Sequence, residues 1–158
     1  MTTSIAERLD ALGITLPQAA APAANYLPAV ISGNHLYTSG QLPLREGALV
    51  SKGLVGRDLD VAGGQEAAKW CAVNILAQAN AALGDLARIE AIVKISVFVA
   101  SAPGFTEQHL VANGASDFLV EVLGDVGRHA RSAVGMAALP LDAPVEIEAV
   151  LRFSPEQA

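Results

Sequence analysis

Alternation of apolar and polar residues predicts strands in this chain, and apolar stripes with helical spacing predict the helices between them. Residues 89–99 alternate, with every odd-numbered position apolar, and residues 145–153 alternate in the same way. Residues 65–83 instead carry apolar side chains at helical spacing and are followed by Gly84, a residue type that commonly ends a helix. These three segments predict two strands and one long helix.

Shorter signals predict the remaining elements. Ser4 and Glu7 have the spacing of a capping box, which predicts a short helix that stops near Gly13. Gly33-Asn34 separates two short β-prone runs and predicts a hairpin. Thr106 is the expected N-cap of a second long helix. The further predicted segments are a hairpin of 29–32 and 35–39, an irregular stretch over 45–60, and a strand over 130–139.

The predicted order after the N-terminal helix is β-β-α-β-α-β-β. This order is typical of a two-layer α+β domain with a mostly antiparallel sheet and two helices on one face. We expect residues 1–24 to form an N-terminal helix and connector and residues 25–158 to form the domain. The uncovered sheet face would carry Ile92, Phe98 and Val150, which are too apolar for open solvent, so a second subunit is expected to cover it.

Composition narrows the class of protein. Charged residues make up 16% of the 158 residues, against roughly 25% in ordinary domains, which also favours an oligomer. The net charge of -6, with lysines and arginines scattered singly, disfavours nucleic acid as a partner. Cys71 is the single cysteine and fits a reducing compartment. The sequence contains neither an apolar run of about 20 residues nor a secretory signal, so we expect a cytoplasmic protein without a membrane anchor.

Familiar catalytic and metal-binding motifs are absent from the sequence. His35, His109 and His129 are far apart, and no HxH, HExxH or CxxC spacing occurs, so we expect surface or loop histidines and no metal site. Cys71 lies inside the predicted long helix beside Trp70, which favours an inert core thiol over a nucleophile. No GxSxG, P-loop or GxGxxG motif is present.

Two positions have charged side chains that the strand pattern does not explain. Arg131 shares a strand face with small residues, which leaves room for a ligand, and its planar guanidinium suits a carboxylate. The alternative is a solvated strand arginine. Glu146 and Glu148 lie on the expected interface side of the last strand, where a buried carboxylate needs either a partner or a function. An ion pair with Arg131 or Arg152 and a functional role both remain open.

Four segments together resemble the RidA/YjgF family of reactive-intermediate deaminases, once described as endoribonucleases of the L-PSP type. They read Leu-Tyr-Thr-Ser-Gly-Gln-Leu-Pro over 36–43, Val-Lys-Ile-Ser-Val-Phe-Val over 93–99, Ala-Arg-Ser-Ala-Val over 130–134, and Leu-Pro at 139–140 followed by Val-Glu-Ile-Glu-Ala over 145–149. The resemblance covers roughly residues 25–153.

The resemblance implies a chorismate-mutase-like fold, a homotrimer with clefts between subunits, and hydrolysis of 2-imino acids to 2-keto acids and ammonia without a cofactor. It assigns Arg131 as the clamp for the substrate carboxylate and Glu146 as the residue that holds the attacking water. It further assigns a set of pocket residues, which are Tyr26, Ser39, Gly40, Asn113 and Ala133. Many deaminating members carry a cysteine where this chain has Ala133, and compact members lack the N-terminal extension.

Two other functions remain open from the sequence. A non-catalytic trimer could use Arg131 to bind a 2-keto acid or a related carboxylate. A translation-inhibiting endoribonuclease is the family's older description, which the acidic balance disfavours.

Overall fold

The computed structural model describes residues 3–22 and 24–155. Within these residues the chain forms three helices and seven strands, with three short 3₁₀ turns between them. The helices are α1 (Ile5–Ala11), α2 (Val61–Leu83) and α3 (Gln108–Leu123). The strands are β1 (Ala29–Ser32), β2 (His35–Thr38), β3 (Leu44–Arg45), β4 (Ala48–Leu49), β5 (Ile89–Ala100), β6 (Ala130–Met136) and β7 (Val145–Phe153). The predicted β-β-α-β-α-β-β order is confirmed, with the small β3–β4 hairpin added inside the stretch predicted to be irregular.

The main sheet has five strands in the order β1-β2-β7-β5-β6. All its neighbours are antiparallel except β5 and β6, which run parallel because α3 connects them. Strand β6 is therefore an edge strand. Helices α2 and α3 pack on one face of the sheet, which confirms the predicted two-layer α+β architecture. The opposite face, here called the open face, carries the side chains that point away from the helices.

The boundaries of several elements differ from the sequence predictions. Helix α2 begins at Val61 rather than at residue 65, because the side chain of Asp60 caps it by accepting from the N–H of Gly63 at 2.7 Å. Helix α3 follows Glu107 rather than Thr106, and no side chain caps it. Strand β6 ends at Met136 because a 3₁₀ turn over Pro140–Asp142 follows. The capping box of Ser4 and Glu7 is confirmed.

The prediction that Ile92 lies on the open face is wrong. Between its pairings with Phe153 and Val150, β5 advances from Ile89 to Lys94, so it contains two bulges where β7 contains none. The bulges turn Ile92 into the core, where it is 1% exposed, and turn Val93 outward, where it is 40% exposed. Because two bulges restore the original alternation by Ile95, the sequence pattern gave no sign of them.

Helices α2 and α3 approach each other closely at Gly114. A Cβ atom at this position would lie against the backbone carbonyl of Gln65 in α2, and a backbone atom cannot rotate away as a flexible side chain can. Close approach of helix backbones requires the smallest residue at the contact. Both helices bury nearly all their apolar residues against the sheet, including the predicted stripes at Ala72, Ile75 and Phe118.

We expect Gly114→Ala to lower the free energy of unfolding by about 2 kcal/mol, because the added methyl forces the helices apart and outweighs the gain in helix propensity. Gly63→Ala is the matched control. Gly63 also lies in a helix, but the atoms nearest to the new methyl would belong to the side chains of Leu59 and Asp60, at 3.2–3.4 Å. Urea unfolding of both variants measures the difference, and equal stabilities would refute the proposed backbone contact.

No helix in the described part of the chain is long and apolar enough to span a membrane.

Candidate functional site

Arg131 lies on edge strand β6 and points toward helix α3. Its Nη1 donates to Oδ1 of Asn113 at 2.8 Å and to Oγ of Ser116 at 3.0 Å. Its Nη2 donates to the backbone carbonyl of His109 at 2.9 Å. A guanidinium has five N–H donors, so Nε–H and one N–H of Nη2 have no partner within residues 3–22 and 24–155. These two donors can bind a carboxylate, which accepts two hydrogen bonds from one guanidinium.

The structure places two other residues of the predicted pocket beside Arg131. Asn113 was assigned to the same pocket, and the structure brings it into direct contact with Arg131. Ala133 lies two residues further along β6, on the same face and half-buried. Gly135, next on this face, lies so close to Gln108 and Ser101 that a Cβ would crowd their side chains. Arg131 is thus a fixed side chain beside small residues rather than a freely solvated one.

Glu146 lies on the open face of β7 and is half-buried. Its neighbours across the sheet are Phe98 on β5 and then Val134 on β6. Within the described residues its carboxylate accepts no hydrogen bond and forms no ion pair. Burial raises the pKa of Glu146 above its ordinary value of 4.5, and the charge of Glu148 raises it further. The structure therefore presents a partly desolvated carboxylate without an internal partner.

The predicted ion pairs of Glu146 or Glu148 with Arg131 or Arg152 are not formed within the chain. Arg131 lies on the helix face, where its partners are neutral oxygens. Arg152 pairs instead with Glu90, with Nε 3.2 Å from Oε2. The sheet itself separates Arg131 from the two glutamates.

Ser39 and Gly40 form a bulge beside Glu146. Tyr37 pairs with Val150 of β7, and Gln41 pairs with Ile147 of β7. The segment from Tyr37 to Gln41 therefore advances four residues while β7 advances three, so this segment contains one extra residue. At Gly40 a Cβ would collide with the carboxylate of Glu146. The glycine thus makes room for this carboxylate, and the bulge, which sequence reasoning did not predict, places them together.

The two residues that follow Tyr26 are tied to the same bulge. The hydroxyl of Ser39 donates to the carbonyl of Leu27 at 2.6 Å, and the N–H of Ser39 donates to the carbonyl of Pro28 at 2.9 Å. These bonds hold the segment that carries Tyr26, whose side chain is exposed. Tyr26, Ser39, Gly40 and Glu146 therefore form one group.

Buried amide side chains support the bulge from the helix side. Gln41 donates through Nε2 to the carbonyls of Ser39 at 3.1 Å and Gly40 at 3.4 Å. Gln78 of α2 donates to Oε1 of Gln41 at 3.5 Å and to the carbonyl of Ala20 at 2.9 Å. The connector after α1 is thereby tied to the bulge. The sequence analysis gave neither glutamine a role, although Gln78, a polar residue inside the apolar pattern of α2, was a usable signal.

We expect Gly40→Ala to destabilise the fold and to reduce any activity of the site, because the new methyl displaces Glu146. A double-mutant cycle with Glu146→Ala tests this cause. The loss of unfolding free energy caused by Gly40→Ala, measured by urea unfolding, should become smaller once the carboxylate of Glu146 is removed. An unchanged loss in the Glu146→Ala background would show that the new methyl does not act through Glu146.

The predicted site residues thus fall into two groups on opposite faces of one sheet. The arginine group contains Arg131, Asn113 and Ala133, and the glutamate group contains Tyr26, Ser39, Gly40 and Glu146. Strand β5 lies between the strands that carry Arg131 and Glu146. A single chain cannot bring the two groups to one small ligand.

Two further side chains, which the sequence analysis did not assign to the site, are linked to Arg131 by hydrogen bonds. Ser116 contacts it directly, and His129, which lies in the loop before β6 as expected, contacts Ser116 at 2.8 Å. The spacing of Asn113 and Ser116, three residues apart on one helix face, was the available signal.

Cys71 is buried as expected, and burial raises its pKa well above the ordinary value. No group of three potential metal ligands occurs among the described residues.

A family model supports the resemblance first drawn from the motifs. The model described as "YjgF/chorismate_mutase-like, putative endoribonuclease" matches residues 6–150. The chain belongs to the RidA/YjgF family. The match also establishes the chorismate-mutase-like fold, and it extends through the connector into α1.

Proteins from several organisms resemble this RidA/YjgF chain along most of their length. Protein TCP17 of Trypanosoma cruzi is 51% identical over 151 residues, which cover 95% of this chain and 94% of TCP17. The crystal structure of Atu1372 from Agrobacterium tumefaciens is 58% identical, with a TM-score of 0.91 and coverage of 95% and 92% of the two chains. Escherichia coli TdcF, solved with bound serine, is 27% identical with a TM-score of 0.64, and the match covers 87% of this chain and 94% of TdcF.

Proposed function

We propose that this protein hydrolyses 2-imino acids to 2-keto acids and ammonia, at sites formed between the subunits of a homotrimer. In this reaction one water adds to the iminium carbon, and the C–N bond then breaks to leave the keto group and an ammonium ion. The iminium and water together supply the four hydrogens of ammonium, so no oxidant, metal or organic cofactor is needed.

The observation that carries the proposal is the separation of two incomplete half-sites. The arginine group offers two N–H donors for a carboxylate but has no group to act on water. The glutamate group offers a half-buried carboxylate but has no cation to bind an acid. Each group supplies what the other lacks. An interface that places the arginine group of one subunit against the glutamate group of another would complete the site.

The surface of the sheet favours such an interface. Tyr37 and Val134 are 47% and 42% exposed on the open face, beside the half-buried Phe98 and Val150. Apolar patches of this kind mark association surfaces. The arginine group lies on the edge strand β6, at the border of the sheet. A ring of three subunits could therefore seat the β6 edge of one against the open face of the next.

Bound serine in TdcF supports the class of ligand. Serine carries a carboxylate and a nitrogen on the adjacent carbon, as a 2-imino acid does. In our proposal Arg131 binds the carboxylate through its two remaining donors, while Asn113 keeps the guanidinium in place. Glu146 accepts a hydrogen bond from the attacking water and takes up its proton. Tyr26, Ser39, Gly40 and Ala133 line the pocket.

An amino-acid oxidase that generates 2-imino acids in solution provides the test. Semicarbazide captures free imino acid, so an active deaminase lowers the amount of captured product while keto acid and ammonia still form. We expect the purified protein to accelerate hydrolysis of 2-iminobutanoate and 2-iminopropanoate. Binding of 2-oxobutanoate without any acceleration would indicate a carboxylate-binding trimer instead.

The description of the family model names endoribonuclease activity, which can be tested separately. The net charge of -6 makes strong electrostatic binding of RNA unfavourable. Cleavage of RNA that falls steeply with added salt, together with no imine hydrolysis, would contradict the proposed deaminase.

A further inference from the structure

Ser116 and His129 form a chain of hydrogen bonds that begins at Arg131. Nη1 of Arg131 lies 3.0 Å from Oγ of Ser116, and this oxygen lies 2.8 Å from Nε2 of His129. On the other side of the ring, Nδ1 of His129 lies 2.6 Å from the carbonyl oxygen of Gly127. The chain joins helix α3, the 3₁₀ turn that follows it and strand β6.

The partners fix the direction of each hydrogen bond. A carbonyl oxygen only accepts, so Nδ1 of His129 must carry a proton. In the neutral ring Nε2 is then an acceptor, and the hydroxyl of Ser116 donates to it. The lone pairs of this hydroxyl are consequently directed away from the imidazole, where one accepts from Arg131. The neutral histidine thereby orients the hydroxyl that orients the guanidinium.

The electrostatic surroundings keep His129 neutral. Burial lowers its pKa below the ordinary value of 6.5, and the positive charge of Arg131 acts in the same direction, which together outweigh the opposite effect of the hydrogen bond to the carbonyl of Gly127. Across the 3₁₀ turn, Asp125 is engaged by Arg128 at 3.1 Å and is highly exposed. Within the described residues, no carboxylate pairs with the imidazole to hold a proton on it. At neutral pH the ring is therefore in the state that the hydrogen-bond chain requires.

We propose that Ser116 and His129 are positioning residues that hold the guanidinium of Arg131 in one orientation, with Nε–H and one Nη2 donor free for a carboxylate. Asn113 and the carbonyl of His109 fix the other contacts of the guanidinium. The role in ligand binding rests on the proposed function, whereas the orientation of Arg131 can be measured without a ligand. Neither Ser116 nor His129 was assigned to the pocket by the family resemblance.

The ligand-free test is nitrogen-15 NMR of the Arg131 side chain. A guanidinium held by hydrogen bonds rotates slowly, so wild type should give separate Nη1 and Nη2 signals. Ser116→Ala and His129→Phe should merge these signals, because the first removes the acceptor and the second leaves the serine hydroxyl undirected. His129→Gln should keep them separate, since an amide oxygen can accept from Ser116 where Nε2 did. Unchanged signals in Ser116→Ala would overturn the inference.

Titration calorimetry with 2-oxobutanoate gives the second test. Loss of one hydrogen bond that orients a binding group should weaken affinity about fivefold in Ser116→Ala and about threefold in His129→Phe. His129→Gln should bind within about twofold of wild type. Asp117→Asn is the control, because Asp117 is the exposed neighbour of Ser116 on α3 and lies outside the hydrogen-bond chain.

The two tests separate the two proposals. Altered NMR signals in the variants, with no binding of 2-oxobutanoate by wild type, would refute the proposed function and leave the positioning role standing. Binding by wild type that Ser116→Ala and His129→Phe do not weaken would refute the positioning role. Thermal unfolding and gel filtration confirm that each variant is folded and assembled as wild type.

Discussion

Arg131→Ala is expected to abolish the acceleration of imine hydrolysis while the protein remains folded and assembled. The substitution removes both donors that would bind the substrate carboxylate, and a charge-assisted bidentate contact accounts for roughly a 100-fold or larger effect on kcat/KM. The oxygens of Asn113, Ser116 and His109 lose a donor, but the site is open enough for water to replace it. Steady-state kinetics with the oxidase-generated substrate measures the loss.

Two variants separate the role of Arg131 from general effects of charge. Arg131→Lys keeps the positive charge but not the planar fork, so it should retain only part of the activity. Arg128→Ala removes an exposed arginine three residues earlier, which pairs with Asp125, and should leave activity unchanged. Loss of activity together with dissociation of Arg131→Ala into monomers would show that Arg131 is structural.

Glu146→Gln is expected to lower turnover roughly 100-fold while affinity for 2-oxobutanoate changes little. The amide has the shape of the carboxylate but cannot take a proton from water. Kinetics and calorimetry on the same preparation measure the two quantities. Equal losses of turnover and affinity would contradict a role in positioning and deprotonating water.

The pH profile offers a matched comparison between the two glutamates. Glu146 acts as the ionised carboxylate, so activity should fall as the pH drops through its raised pKa, which lies above 4.5. Glu148→Gln removes the like charge that contributes to this shift. It should therefore retain turnover and move the acid limb of the profile to lower pH. An acid limb that does not move would mean that another group titrates.

The sequence predicted elements well wherever the pattern ran without interruption. Strand β7 was predicted to the residue because its alternation continues unbroken from Val145 to Phe153. Strand β5 was placed correctly, but its two bulges leave no mark in the pattern, and Ile92 was therefore assigned to the wrong face. Helix α2 was predicted four residues too short because its first turn contains two glycines, Gly63 and Gly64, which rarely favour a helix.

The candidate site was only partly predictable for a related reason. Alternation along β6 placed Arg131 and Ala133 on one strand face, as the structure has them, whereas Asn113 came only from the family resemblance. The relation of Arg131 to Glu146 depends on how β5, β6 and β7 pair, which no local pattern encodes. Ser116 and His129 are 13 residues apart in the sequence, so their contact emerged only from the packing of α3 against β6.

In the proposed deaminase, Arg131 of one subunit and Glu146 of another act on the same substrate. Mixed assemblies of two inactive variants test this shared site. Arg131→Ala and Glu146→Gln chains, each near background activity alone, are coexpressed with different tags. Assemblies that carry both tags are then purified. Each mixed trimer places an intact Arg131 beside an intact Glu146 at one of its three sites, so about a third of wild-type activity should return. Mixed assemblies that remain as inactive as their parents would show that the two residues do not share a site across the interface.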